Sequence, residues 1–451
     1  MNINNINNNN MNILHGTAFV VLAGIIQQNQ MKRQKQIGMK KMNDINSNIN
    51  IQIVQKNQFN MNHSNNMIQP KPNFQPNMNF NLKDKPNISN NPLIIGITYP
   101  HHTGLENVGH SCYMNATIEC LSNIKALSNN LLQRYGTFDN DKQPLCVSYS
   151  RLLYDLFQKK EKSIRPILFK EIIGKLHPLF RDNIAVDAKN FFIFIIEALH
   201  KELQISNSNK DKKEINFAQQ EIDSQNEQKM LNDFITEYNS NKTIISDIFC
   251  GINRFIIKCS VCNIIKYSFQ TFNLLSFQLK RVKEFKKKNK NINFLKSLDL
   301  NLYDAFQCEQ EEEKLEGENI IYCSRCRQLV PGIHKQDFYL MPPILIMALN
   351  RGKNNQEFND EFKFDEILDF TNKNIVQSNE THNKYYLSGI ITHLGESGIN
   401  GHYIAYCRNN QNDNFLCYND DSVYPVSVQD AMSTKIFEKK IPYILIYHYL
   451  E

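Results

Sequence analysis

The chain of 451 residues has no hydrophobic segment long enough to cross a membrane. Its longest apolar run, residues 14–26, has 13 residues, whereas a membrane-spanning helix needs about 20. No lysine or arginine precedes the run, as a secretory signal peptide requires. We therefore predict neither a membrane span nor a signal peptide. A short interfacial or organelle-targeting role is an alternative, because basic residues follow the run between positions 32 and 41.

The folded part of the chain also lacks net charge. The whole chain carries a formal charge of +6, but residues 1–92 hold nine lysines or arginines against two acidic residues, a balance of +7. The remaining 359 residues therefore sum to −1. A nucleic-acid-binding module needs a basic face with aromatic side chains on which bases stack. The near-neutral charge argues against such a module, and we predict no nucleic-acid partner.

The first 95 residues contain few side chains that could build a core. Asparagine accounts for 25 of the first 92 residues, and no helix or strand period is sustained. Such a segment cannot bury enough apolar surface to offset its ordering entropy. We predict a disordered extension over residues 1–95 and a folded region over 96–451. Residues 206–230 and 280–297 are interpreted as surface insertions, and the basic part of the second, Lys280–Lys290, as a solvated loop.

Cys112 lies where a polar, glycine-containing loop should enter a helix. Apolar residues recur at helical spacing from Tyr113 onward. Backbone N–H groups and the positive end of a helix dipole favour a thiolate at such a place and can hold an oxyanion beside the sulfur. Asn107 could bring its amide to the same oxyanion. The alternative is that Cys112 is one more buried small side chain, the usual role of a free cysteine.

A histidine with a polar partner lies near the other end of the chain. A glycine-rich loop precedes His402, which opens an alternating strand, and a second strand ends in the pair Asn419-Asp420, 17 residues after His402. A cysteine, a distant histidine and an Asn or Asp that orients the imidazole form the constellation of thiol proteases. The sequence therefore predicts a thiol-dependent hydrolase.

The segments around Cys112 and His402 resemble the Cys box and the His box of the ubiquitin-specific proteases. The resemblance runs from about Thr103 to the C-terminus, with insertions, and three further blocks share it: Val186–Phe191, Met341–Ile346 and Tyr443–Tyr447. The chain departs from the family pattern at four places: His110 replaces Asn or Ala, Asn190 replaces Glu, Asn350-Arg351-Gly352 replaces Lys-Arg-Phe, and Phe415 replaces a tryptophan, a residue this chain lacks. Neither the change at His110 nor that at Phe415 removes a catalytic group.

This resemblance implies an α+β fold, the papain-like thumb and palm with zinc-tipped β fingers. The thumb would span about 100–205, the fingers about 245–335 and the palm about 336–451. Cys112 would be the nucleophile, His402 the general base and acid, and Asn419 the third member of the triad. Asp420 would be a supporting carboxylate.

The same resemblance implies a substrate. The thiol would attack the carbonyl of ubiquitin's C-terminal glycine, and water would hydrolyse the resulting thioester. Gly398, Gly401 and Tyr403 resemble the family's lining of the narrow slot that admits a Gly-Gly tail. The expected partners are ubiquitin and ubiquitinated proteins. A catalytically silent ubiquitin-binding scaffold of the same fold is the rival hypothesis; loss of the cysteine or the histidine would indicate it, and neither is lost.

Two Cys-x-x-Cys pairs, Cys259/Cys262 and Cys323/Cys326, offer the four thiolates of a closed structural zinc site. Because such a site leaves no position open for water, we predict a zinc ion that holds the fold and takes no part in catalysis. In the family, a ribbon of this kind tips the fingers that cradle ubiquitin. The other seven of the 11 cysteines are scattered, which favours a reducing compartment, the cytoplasm or the nucleus.

Overall fold

The computed structural model describes residues 99–205, 226–290, 299–352, 361–371, 373–377, 382–395, 401–409, 414–433 and 440–450. The predicted extension over 1–95, Gly398 and the segments 206–225 and 291–298 lie outside these residues. The described residues divide into two compact units, of which the smaller comprises Cys259–Ile264 and Lys314–Gly332. None of the helices in the described ranges is long and apolar enough to span a membrane.

The N-terminal part of the larger unit is mainly helical. The helices of the described chain are α1 (Cys112–Ser122), α2 (Lys125–Gln133), α3 (Pro144–Gln158), α4 (Ile167–Leu176), α5 (Ala188–Ile205), α6 (Glu227–Ser240), α7 (Ile244–Phe249), α8 (Leu279–Lys290), α9 (Leu302–Glu309) and α10 (Val428–Met432). The apolar periodicity predicts helices over residues 113–124, 149–158, 166–177 and 188–203, and α1, α3, α4 and α5 lie there, with α3 beginning five residues earlier than predicted. It misses α2, whose central asparagines have low helix propensity and whose three leucines are nevertheless buried.

Strands dominate the rest of the described chain. They are β1 (Gly104–Leu105), β2 (Ser163–Ile164), β3 (Gly251–Cys259), β4 (Ile265–Phe272), β5 (Leu275–Gln278), β6 (Leu300–Asn301), β7 (Glu313–Leu315), β8 (Ile321–Cys323), β9 (Gln328–Val330), β10 (Gly332–Leu340), β11 (Ile344–Asn350), β12 (Phe362–Lys363), β13 (Ile367–Asp369), β14 (Lys384–Leu394), β15 (His402–Asn409), β16 (Asn414–Asn419), β17 (Ser422–Val426) and β18 (Lys440–Tyr449). Together with the helices they confirm the predicted α+β class.

The main sheet of the larger unit has the strand order β17-β16-β15-β14-β18-β11-β5, with β13 paired to β14. Hydrophobic side chains cover both of its faces. Along β18, Ile444 and Ile446 pack into a core shared with the N-terminal helices, whereas Leu445 and Tyr447 pack into the core on the other face. Because successive strand residues point to opposite faces, a strand buried on both sides reads as an unbroken apolar run.

The solvated-loop interpretation of Lys280–Lys290 is wrong, because this segment is helix α8. Val282 and Lys286 are four residues apart, so they share one side of the helix, and both are buried. The Lys286 ammonium lies 2.5 Å from the Asp304 carboxylate. Further basic side chains of α8 pair with the acidic residues that follow: Arg281 with Glu309 at 3.4 Å and Lys288 with Glu311 at 2.6 Å. The basic and acidic runs of the sequence thus partly neutralise each other.

Candidate active site and candidate metal centre

Hydrogen bonds to the side-chain amide of Asn107 fix the loop before α1. Asn107 Oδ1 accepts hydrogen bonds from the backbone N–H of Gly109 at 3.2 Å and of Ser111 at 3.1 Å. Gly109 and His110 have φ angles of 98° and 50°, which turn the chain into the helix at Cys112. The first N–H groups of α1 have no acceptor within the helix, and no acidic side chain lies in its first turn. The buried Cys112 thiol therefore faces the positive end of the helix dipole.

His402 is the first residue of β15, and Asn419 is the last of β16. Since Ala405 pairs with Tyr418 across this hairpin, His402 and Asn419 are diagonal neighbours on one face of the sheet. His402 Nε2 and Asn419 Oδ1 are 2.6 Å apart, so Nδ1 is the ring atom left for the thiol. A hydrogen bond with Cys112 is the largest influence on the imidazole and, with the Asn419 bond, raises the pKa of His402 to about 9.

Asp420 stands in a turn and faces the helical part of the unit. With a φ of 50° it reverses the chain between β16 and β17, so its side chain leaves the face that carries Asn419. Its carboxylate accepts one hydrogen bond from Asn107 Nδ2 at 2.9 Å and another from Asn115 Nδ2 at 2.8 Å. His402 Nε2 is 3.9 Å from Asp420 Oδ2, beyond hydrogen-bond distance.

The backbone of the same turn also meets β1. The Leu105 N–H donates to the Asp420 carbonyl at 2.9 Å. A Cβ at Gly104 would lie 2.6 Å from that carbonyl oxygen, so only glycine allows the approach. The structure thus brings all five predicted active-site residues together: Cys112 and Asn107 from one end of the chain, His402, Asn419 and Asp420 from the other. Their chemical roles remain predictions.

Sequence reasoning missed Asn115, although a signal for it exists. Asn115 is a buried amide on a largely apolar helix and lies three residues after Cys112, on the same side of α1. A polar side chain in such a place needs a buried partner, and Asp420 is that partner. Asp187 caps α5, because its carboxylate accepts the Lys189 N–H at 2.8 Å.

The smaller unit gathers the four cysteines of the two Cys-x-x-Cys pairs. All four Sγ atoms lie within 4.8 Å of one another. Cys259 Sγ is 3.9 Å from Cys326 Sγ, and Cys262 Sγ is 3.5 Å from Cys323 Sγ. Four sulfurs at about 2.3 Å from a tetrahedral zinc ion would be about 3.8 Å apart. The cluster therefore has the spacing of a four-thiolate metal site.

The two pairs also have the same backbone shape. In each, the N–H of the second cysteine points at the sulfur of the first, with N···S distances of 3.4 Å. The residue after each pair, Asn263 or Arg327, has a φ of 57°. This left-handed residue closes a tight turn and lets both sulfurs of a pair face the same point.

Comparison with known proteins places the chain in a family. The family model described as ubiquitin carboxyl-terminal hydrolase matches residues 103–318 and 314–447. The chain is 26% identical over 379 residues to ubiquitin carboxyl-terminal hydrolase 4 of Vanderwaltozyma polyspora, a match that covers 76% of this chain and 41% of the relative. It is 27% identical over 384 residues to the protein of that name from Saccharomyces cerevisiae, covering 76% and 39%.

A human relative, ubiquitin carboxyl-terminal hydrolase 2, is 25% identical over 343 residues, which cover 74% of this chain and 54% of the relative. The aligned part of the chain thus spans between 39% and 54% of the length of these curated relatives. The family model, in contrast, accounts for most of this chain, including every residue of the candidate active site and the candidate metal centre. The chain belongs to the ubiquitin carboxyl-terminal hydrolase family.

Proposed function

We propose that the protein is a deubiquitinase that cleaves the amide, isopeptide, ester or thioester bond at the C-terminal glycine of ubiquitin. The observation that carries this proposal is the arrangement of three side chains in one unit. Cys112 begins a helix, its thiol is the largest influence that raises the pKa of His402, and Asn419 Oδ1 lies 2.6 Å from Nε2 of the same imidazole. That order is the one a cysteine nucleophile, its base and an orienting group require.

The reaction follows from these positions. The proton of the Cys112 thiol passes to His402, whose raised pKa keeps the ring as imidazolium below about pH 9, and the thiolate attacks the glycine carbonyl of ubiquitin. The resulting oxyanion lies beside the N–H groups at the start of α1, where the helix dipole stabilises negative charge. The imidazolium then protonates the leaving amine, which departs and leaves a thioester on Cys112. His402 next deprotonates a water molecule that hydrolyses the thioester and restores the thiol.

Asn107 and Asp420 support the oxyanion in this proposal. Asn107 donates one amide N–H to Asp420 at 2.9 Å, while its oxygen is fixed by two backbone N–H groups. The amide therefore cannot rotate, and its second N–H has a set direction. Asp420 acts through Asn107 and Asn115, since its carboxylate is bonded to both. This makes Asp420 a positioning residue for the oxyanion donor.

The direct test is a ubiquitin probe whose C-terminal glycine carries an electrophile. The probe should form one covalent adduct with the full-length chain, and peptide mapping should find it on Cys112. An adduct on any of the other ten cysteines would contradict the proposed nucleophile. A chain that binds ubiquitin but forms no adduct would be the silent scaffold.

The pH dependence of turnover should show the raised pKa of His402. The pKa of about 9 in the folded protein exceeds the ordinary histidine value of 6.5, so folding stabilises the imidazolium. This stabilisation is complete below about pH 6.5 and is lost as the pH rises through about 9. With a ubiquitin C-terminal fluorogenic amide, we expect kcat/KM to fall above about pH 9, because the imidazolium that protonates the leaving amine is then lost. Circular dichroism at each pH separates this fall from unfolding. The alkaline limb is the part of the pH profile in which kcat/KM falls as the pH rises; an alkaline limb near pH 6.5 would contradict the hydrogen bond with Cys112.

We also propose that the four-cysteine cluster binds a structural zinc ion. Cys259, Cys262, Cys323 and Cys326 would hold it, and the S···S distances of 3.5 and 3.9 Å support a tetrahedral ion. When bound, the metal would contribute folding energy. Because all of its ligands would be thiolates, it would offer no site to water or substrate.

Removal of one ligand, by Cys262→Ala or Cys326→Ala, is expected to abolish zinc binding and to unfold the smaller unit. Structural zinc contributes on the order of 10 kcal/mol in small zinc-binding peptides, more than a unit of this size can lose. Elemental analysis should find one zinc per wild-type chain and less in the variants, and proteolysis should cut the variants within 314–332. The matched control is Cys250→Ala, which removes a cysteine of the larger unit. Wild-type stability without bound metal would refute the zinc site.

A further inference from the structure

His393 lies directly beneath the backbone that carries His402. It is the penultimate residue of β14, which pairs antiparallel with β15. In that register His393 is opposite Tyr403, and Leu394 is opposite His402. The His393 side chain is buried, with 4% of its surface exposed. None of the steps of the proposed mechanism uses this imidazole.

The His393 ring contacts both chain neighbours of His402. A Cβ at Gly401 would lie 2.2 Å from Cε1 and 2.3 Å from Nε2 of His393, so the ring fills the space that a side chain at position 401 would need. On the other side of His402 in the sequence, the Tyr403 ring packs edge-on against the His393 ring, with the ring centroids 4.9 Å apart. The peptide segment 401–403 therefore rests on one buried ring.

The same contacts continue to the helical part of the unit. Tyr403 packs against Tyr443 with ring centroids 5.9 Å apart. The Tyr443 hydroxyl donates to the Asp187 carboxylate at 2.7 Å, and that carboxylate caps α5. His393 is thus one end of a packed chain of side chains whose other end is a helix terminus.

The packing of His393 under residues 401 and 403 matters because the His402 ring must interact with Cys112 and Asn419 at the same time. It is the first residue of its strand, and its ring is shared between Cys112 and Asn419. A shift of about 1 Å in a catalytic group can cost on the order of 10²-fold in rate. A rigid ring under residues 401 and 403 limits such a shift.

We infer that His393 is a positioning residue, whose ring packs under Gly401 and Tyr403 and holds the His402 imidazole between Cys112 and Asn419. The inference rests on the proposed function. It also gives a reason for glycine at position 401: the missing side chain would point at His393 and at the Leu394 carbonyl oxygen, 2.5 Å away.

The charge state of the buried His393 ring also suits a positioning role. Desolvation lowers the pKa of His393 to about 4, against the raising influence of Asp187, while nearby His402 lowers it further. The ring is therefore neutral at pH 7. A neutral ring can lie close to the His402 imidazolium without adding a like charge.

The test compares His393→Ala with His393→Phe in the full-length chain, using the ubiquitin C-terminal amide. The alanine variant is expected to lose kcat by on the order of 10²-fold with KM unchanged, since the reacting groups are misplaced and ubiquitin binding is not. Its alkaline limb should move below about pH 9, because weaker hydrogen bonds with Cys112 and Asn419 no longer raise the pKa of His402. The phenylalanine variant keeps a flat ring and should retain most of the activity.

The matched control is His448→Ala, which removes another histidine of the main sheet, one that is bonded to Tyr386. It should leave kcat and the alkaline limb unchanged. The inference fails if His393→Ala keeps both wild-type kcat and the wild-type limb, or if His393→Phe is as inactive as His393→Ala. Should His393→Ala not fold, Gly401→Ala disturbs the same contact from the other side. Because Gly401 is also predicted to line the slot for the substrate tail, the deciding measurement on this variant is the alkaline limb, which must move below about pH 9.

The two proposals fail in different ways. If the wild-type chain forms no adduct with the ubiquitin probe and does not cleave the amide, the proposed function is wrong and the role of His393 falls with it. If the wild type is active and the His393 variants match it, the function stands and the positioning role is wrong.

Discussion

Cys112→Ser is expected to abolish cleavage of the ubiquitin C-terminal amide. A protease that loses its nucleophile loses on the order of 10⁶-fold in kcat, and a serine hydroxyl placed at a thiolate site is a much poorer nucleophile. The substitution replaces sulfur by oxygen at the start of α1 and leaves the surrounding loop intact, so ubiquitin should still bind. The measurements are the turnover of the fluorogenic amide and the affinity for ubiquitin.

Cys250→Ser is the control for this prediction. Cys250 is half-buried, and its thiol donates to Asn273 Oδ1, far along the chain from α1, so its loss should leave turnover near the wild-type value. If Cys112→Ser retained normal turnover, the active site would have to be elsewhere.

Asn419→Ala is expected to reduce kcat by on the order of 10²–10⁴-fold, the range that loss of an orienting or acid–base contribution can cost. The reason is the 2.6 Å contact between Asn419 Oδ1 and His402 Nε2, without which the imidazole can turn away from Cys112. The alkaline limb should also fall below about pH 9, because this contact helps to raise the pKa of His402. Asn419→Asp should keep much of the activity, since a carboxylate oxygen accepts the same N–H.

Asp420→Ala separates the two candidates for this role. The carboxylate binds Asn107 and Asn115 instead of His402. Its loss should therefore act through the oxyanion donor, where removal of one such group costs on the order of 10²–10³-fold. The double variant with Asp420→Ala and Asn107→Ala should lose little more kcat than either single variant. The fold-losses of kcat caused by Asp420→Ala and Asn419→Ala should instead multiply. If the double variant with Asp420→Ala and Asn419→Ala lost no more kcat than the single variants, the contact with the imidazole would be assigned to Asp420. Thermal unfolding of each variant shows whether a loss of rate reflects loss of fold.

The candidate nucleophile and base could be read from the sequence because their local patterns are distinctive. Cys112 stands where a glycine-containing loop gives way to helical periodicity, and His402 where such a loop gives way to strand alternation. Both patterns depend on a few neighbouring residues, and the structure places both residues where the patterns predict. The candidate metal ligands are equally local, since each Cys-x-x-Cys pair forms its own turn.

Charge and composition were less informative about local structure. The lysine-rich segment of α8 is interpreted as a loop because basic runs are usually solvated, yet it forms a helix in which Leu279, Val282 and Lys286 are buried. The stabilising partner of Lys286 is Asp304, which follows in the next described segment. Such pairing depends on the packing of α8 against α9, which no window of sequence shows.

By itself, the sequence determined the residue types of this site, the elements that carry them and the presence of two Cys-x-x-Cys turns, because each depends on short-range periodicity and spacing. Only the tertiary structure shows which of Asn419 and Asp420 lies at hydrogen-bond distance from His402: adjacent strand residues point to opposite faces, and the turn at Asp420 sends its carboxylate toward Asn107 and Asn115. It also revealed His393, whose part depends on a contact with Gly401 across a hairpin. Side-chain direction and close packing arise from contacts between distant segments, so they exist only once the chain has folded.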